Sequence, residues 1–104
     1  MKNARREAAK HRLERLLADN PLTKGMYVRT WGDHLIIGRH EPFGPDGELE
    51  ADDRLRFTAR NSSSFGLSVR RHTGRWENTP FTGTLEELTD VISALMQHIV
   101  APYS

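Results

Sequence analysis

A chain of 104 residues has room for one hydrophobic core, and its 37% hydrophobic and 28% charged content is that of an ordinary globular domain. With no cysteine there is no disulfide, no thiolate nucleophile and no cysteine zinc site, and the longest apolar stretch, Leu35-Ile36-Ile37, is strand-sized rather than membrane-spanning. A formal net charge of +1 supplies no global drive toward nucleic acid or membrane; no hydrophobic signal segment follows the basic N-terminus, so the expected compartment is the cytoplasm.

Residues 3–18 predict the first helix. Ala9, Leu13, Leu16 and Leu17 recur at i, i+4, i+7 and i+8, one apolar stripe at helical period, with Asn3 the expected N-cap and Asn20-Pro21 the stop. Lys2, Arg5 and Arg6 then sit at the positive end of the helix dipole and Asp19 at the negative end. Each opposes the dipole by about 0.3–1 kcal/mol where the helix end is ordered. Arg5, Arg6, Lys10 and Arg12 are therefore a candidate basic helix for contact with an anion, set against a frayed and solvated terminus where the cost vanishes.

Two strands follow, at about 26–31 and 34–40, joined by Gly32-Asp33, a two-residue loop whose leading glycine suits a type II′ hairpin. That register sets Trp31 against His34, Arg29 against Ile36 and Val28 against Ile37. Met26, Val28, Leu35 and Ile37 fall on the core face, and Tyr27, Arg29, Trp31, His34 and Ile36 on the other. Residues 41–53, with Pro42, Gly44-Pro45-Asp46-Gly47 and six acids, read as a long acidic loop. Strands at 54–60 and 64–72 alternate at period 2. A three-residue loop at 61–63 keeps Leu55, Phe57 and Ala59 opposite Val69, Leu67 and Phe65; one more residue would set core against solvent. Thr73-Gly74 allows a further turn and a fifth strand at 75–78, with Trp76 on the core side and Glu77 opposite Arg70. The last helix, 85–100, opens on the capping box Thr84-Leu85-Glu86-Glu87. It carries apolar residues at 85, 88, 92, 95 and 99, widened by Val91, Met96 and Val100 to about half its circumference.

The expected architecture is thus a single two-layer α+β domain over residues 1–104. An antiparallel sheet of four or five strands carries both terminal helices on one face (α-β-β-β-β-α).

The charges are segregated. Residues 2–15 hold six bases against two acids, 41–53 hold six acids and no base, and 54–75 hold six arginines and no acid. By strand parity the sheet face away from the helices gathers Arg29, Arg54, Arg56, Arg60 and Arg70 with Tyr27 and Trp31, and Arg54 faces Arg70. Arginines interleaved with aromatics are how sheets hold single-stranded nucleic acid, which makes this a candidate anion-binding face. The acids of the 41–53 loop match the arginines in number, and folding of that loop over the face is the outcome the charge balance favours.

Catalytic signals are lacking. There is no glycine-rich phosphate loop, nucleophile elbow or histidine–glutamate metal motif, and Ser62, Ser63 and Ser64 beside five scattered histidines make no recognisable triad. His34 and His40 share a face but stand six strand residues apart, roughly 20 Å, too far to share an ion. No catalytic residue, metal ligand or cofactor is assigned. The element order is similar in layout to that of double-stranded-RNA-binding domains and of frataxin-like proteins. The former open their second helix with lysines, where this chain has Glu86 and Glu87. The latter have an acidic first helix, where this one is basic, and no family is claimed. Tyr27, Trp31, Ile36 and the broad stripe of the last helix amount to more apolar surface than two layers cover. The expected function is accordingly a non-catalytic protein–protein interaction module, a homodimer or a subunit of an assembly, with no membrane contact. Nucleic-acid or polyanion binding through the arginine face is the alternative, and a small enzyme of unidentified reaction the third reading.

Overall fold

Alternation at period 2 pairs the strands in chain order. In the computed structural model, which describes residues 2–103, α1 (Asn3–Ala18) precedes β1 (Tyr27–Trp31), β2 (His34–Glu41), β3 (Glu50–Ala59), β4 (Phe65–Arg70) and β5 (Trp76–Gly83); α2 (Leu85–Leu95) and α3 (Gln97–Val100) follow. The five strands form one antiparallel meander in the order β1-β2-β3-β4-β5, an α+β fold as expected. Both hairpin registers are those the core pattern required. Trp31 faces His34 and Val28 faces Ile37 around Gly32, whose φ of 59° is open to glycine at little cost, while Leu55, Phe57 and Ala59 face Val69, Leu67 and Phe65.

One core lies between sheet and helices. Leu13 and Leu17 of α1 and Leu85, Leu88 and Ile92 of α2 pack with Val28, Leu35, Ile37, Leu55, Phe57, Phe65, Leu67 and Val69. Thr84 accepts from the Glu87 amide and Glu87 reaches back to the Thr84 amide, the full capping box. Among the described residues no helix is long and apolar enough to cross a membrane.

Five expectations need correction. The 41–53 segment is not all loop: Glu41 ends β2, Pro45–Gly47 is a single 3-10 turn, and β3 begins at Glu50 instead of 54, because residues 50–53 find pairing partners at 38–41. The fourth strand is shorter than 64–72 and the fifth longer than 75–78, since the turn closes with Arg71 N–H on the Arg75 carbonyl. That register sets Arg70 opposite Trp76, so Trp76 lies on the outer face rather than in the core. Glu77 falls opposite Val69 and pairs with Arg71 at 2.6 Å. The 85–100 helix breaks at Met96 (φ −123°, ψ 29°), which turns Val100 into the core and leaves Leu95 59% exposed outside it. Finally, Lys2 rather than Asn3 occupies the N-cap position of α1, without a side-chain cap; the Asn3 carboxamide oxygen accepts from Arg6 instead.

Candidate anion-binding face

With α1 and α2 on one face of the sheet, the other is uncovered, and a β-bulge decides which arginines reach it. Ile37 pairs with Leu55 but Gly38 pairs with Asp53, so Arg54 is the extra residue and has no partner across the strand. Arg54 consequently turns to the helix side, where it is buried among oxygen atoms. It pairs with the Glu41 carboxylate, donates to Asp52 at 3.0 Å and to the Ala101 carbonyl at 2.6 Å, and its guanidinium stands 4.0 Å from the Tyr103 ring centroid. Arg54 is thus not part of the candidate face, and the opposition of Arg54 to Arg70 does not arise. Arg39, also buried on that side, donates to the carbonyls of Val100 (2.6 Å), Leu22 (2.9 Å) and Lys24 (3.0 Å). The two arginines clasp the C-terminal segment to the sheet. Parity with Leu35 and Ile37 puts Arg39 on this side, but it misplaces Arg54, because the bulge inserts one residue ahead of Leu55 and nothing in the alternation of residues 54–60 marks it.

The remaining face divides into two halves of different character. At the first, Asp53 is the focus. It accepts from the Tyr27 hydroxyl (2.5 Å) and from Arg29 Nε (3.2 Å) and Nη2 (2.5 Å), with Arg70 at 4.0 Å. Burial works to raise the Asp53 pKa, but the hydrogen bonds from Arg29 and Tyr27 and the charges of Arg29 and Arg70 outweigh it and hold the carboxyl below its ordinary value. Burial, with Asp53 alongside, pushes the Tyr27 phenol above its ordinary value. Tyr27 reaches Asp53 by lying flat across Gly38: a Cβ there would stand 2.3 Å from the Tyr27 hydroxyl oxygen and 2.2 Å from the Asp52 carbonyl oxygen. This half is neutralised from within.

The other half is not. Arg56, Arg60 and His34 surround a concavity of about 460 Å³ on the sheet surface, with Thr58, Ser68 and Asn78 supplying polar groups and Gly66 leaving space. Among the described residues no carboxylate lies within ion-pair distance of Arg56 or Arg60, and the buried Nε of Arg56 has no hydrogen-bond partner. Arg56 stands 4.8 Å above the Trp76 ring, and the Trp31 ring, 65% exposed, lies 6.2 Å from that of His34. Burial and the charge of Arg56 lower the His34 pKa; its Nδ1 is 2.8 Å from the Thr58 hydroxyl. Both tryptophans of the chain therefore flank the arginines.

The acids of the 41–53 segment do not fold over this half. Asp53 serves the opposite half, Glu41 and Asp52 serve Arg54 on the helix side, and Asp46, Glu48 and Glu50 are exposed without an ion pair among the described residues. The apolar excess is likewise reduced. Ile36, with Arg29 and Arg56 as its cross-strand neighbours, is 1% exposed, and the stripe of the last helix is covered apart from Leu95. Of the candidate basic helix, Arg6 is tied to the Gly32 carbonyl at 3.0 Å and Arg12 to Glu86, while Arg5 and Lys10 carry no such bond among the described residues. Among the described residues no three His, Asp or Glu side chains converge to hold a metal ion. No family model, no curated protein and no solved structure matches this chain.

Proposed function

We propose that the chain is a binding module for single-stranded nucleic acid, which it holds on the uncovered sheet face. What carries the reading is the uncompensated half of that face: Arg56 and Arg60 beside one concavity, without a carboxylate, flanked by Trp76 and Trp31. Arg56 and Arg60 have no carboxylate partner among the described residues, and a phosphate, which accepts charge-assisted hydrogen bonds from guanidinium groups, supplies the missing counter-charge. An exposed indole beside arginines gives an unpaired base a surface to stack on, worth about 1–3 kcal/mol per base. Of the exposed large hydrophobic side chains, Phe43 and Tyr103 stack on one another at 5.7 Å, and Trp31, Leu49 and Leu95 lie on separate parts of the chain. A polar, basic, partly aromatic surface suits a nucleic-acid strand better than a second protein's apolar patch.

Titration with a single-stranded RNA or DNA oligonucleotide, followed by tryptophan fluorescence, tests this directly. Quenching at low salt is expected, with log affinity falling against log salt by about 0.7 for each phosphate contacted. Arg60→Glu, at an exposed position, abolishes binding and leaves the melting temperature unchanged. Absence of binding by the native chain at low salt overturns the reading.

A further inference from the structure

We infer that the bound strand does not end on the sheet face but turns around the β3–β4 hairpin tip at Arg60 and continues along α1. This rests on the nucleic-acid reading above and extends its footprint. The observation is a second concavity, about 700 Å³, on the helix side at the same end of the sheet, between α1, the hairpin tip and the start of α2. Arg60 lines both concavities, the only arginine to do so among those described, and is therefore the hinge point between them. Along the groove Arg5, Arg12 and Arg15 stand on one side of α1, spaced seven and three residues apart, or about 10 and 5 Å along the axis. Ser62 and Ser63 at the tip add hydroxyl donors. The floor, Ala9, Ala59 and Phe65, is apolar and gives sugars and bases a surface to rest on.

Two carboxylates also line the groove, Asp33 and Glu86, and Glu86 is held by Arg12, so the arginines outnumber the acids four to two. Arg5 opposes the α1 dipole at the helix N-terminus, and no described residue forms an ion pair with it. The groove is where that unfavourable charge meets an anion. The geometry also selects the kind of polyanion. The two concavities lie on opposite faces of one sheet, so a ligand reaching both must fold back within the thickness of a strand layer. A duplex, with a persistence length of about 50 nm, cannot do so; a flexible single strand can.

The experiment compares two fluorescein-labelled oligothymidylates, one of about four nucleotides and one of about twelve, within the range of single-strand site sizes. Their binding to the native chain and to the Arg5→Ala/Arg15→Ala variant is measured by anisotropy over a salt series. Both substituted side chains are on exposed residues and make no hydrogen bond among the described residues, so the variant folds, and its melting curve checks this. The expected result is that the longer strand loses affinity toward that of the short one, with a salt slope lower by about 1.4 (two contacts at about 0.7 each), while the short strand is unaffected. Unchanged binding of the long strand by the variant overturns the path along α1 and leaves the sheet-face reading standing. An equal loss for both lengths also overturns it, since general attraction rather than contact would then be at work. If neither length binds the native chain, the underlying reading fails first.

Discussion

Arg54 and Gly38, one residue turned by a bulge and one lacking a side chain, settle what the outer face contains. Arg54 is 3% exposed and its partner Glu41 is equally buried, so neither charge has water to fall back on. Glu41→Ala is expected to destabilise by about 1–3 kcal/mol, because it removes one of the two carboxylates that hold the buried Arg54 guanidinium, leaving Asp52 and the backbone carbonyls, and also removes the acceptor of the Tyr103 amide. Urea denaturation measures this; a loss under about 1 kcal/mol would mean that the guanidinium is hydrated after all. Gly38→Ala forces the Tyr27 ring off the sheet and breaks its bond to Asp53, an overpacking cost of about 1–3 kcal/mol. In a Tyr27→Phe background the hydroxyl is already gone, so the two losses should be less than additive in a double-mutant cycle. Full additivity would show that Gly38 acts independently of Tyr27.

The helices divide their apolar residues unevenly between core and solvent. Leu95 is the last residue of α2, and the chain turns at Met96 immediately after it, so the core that covers Leu88 and Ile92 does not extend over Leu95. Leu88→Ala is expected to cost about 2–5 kcal/mol and Leu95→Ala no more than about 0.5, since Leu88 is fully buried and Leu95 largely exposed. Thermal melts of the pair check this: equal losses would mean that Leu95 is buried in solution. Thr84→Ala should cost about 1 kcal/mol through the lost cap. The break has a tertiary cause. Val100 enters the core, and the carbonyls at 99–101 turn to Arg39 and Arg54, contacts that an uninterrupted helix would not present.

At the scale of the molecule, the two halves of the outer face should separate in their response to pH. Asp53 has a folded pKa below its unfolded value, so the stability it contributes is complete above about pH 4 and is lost as pH falls through the lower folded value. His34 is also lowered on folding. Its contribution is present above its ordinary pKa of about 6.5 and is lost as pH falls below it, because the unfolded chain takes the proton first. Oligonucleotide binding should run the other way: a phosphate beside His34 favours the imidazolium, so affinity rises as pH falls through the range where His34 takes up its proton, while stability declines. His34→Gln should remove that rise, and an unchanged pH profile would place the bound strand away from His34. Much of this molecule was legible in the amino-acid sequence. Period-2 alternation, one glycine-led turn, one three-residue loop and a capping box determined four of the five strands, two hairpin registers, the core side of each and the start of α2, because these depend on neighbours a few residues apart. The bulge at Arg54, the outward Trp76, the break at Met96 and the destination of each acid in 41–53 were decided only in the tertiary structure. Each depends on which strand or carbonyl lies alongside, and a charged residue has no periodicity of its own: it goes where a partner is, and the partner's position is a property of the fold.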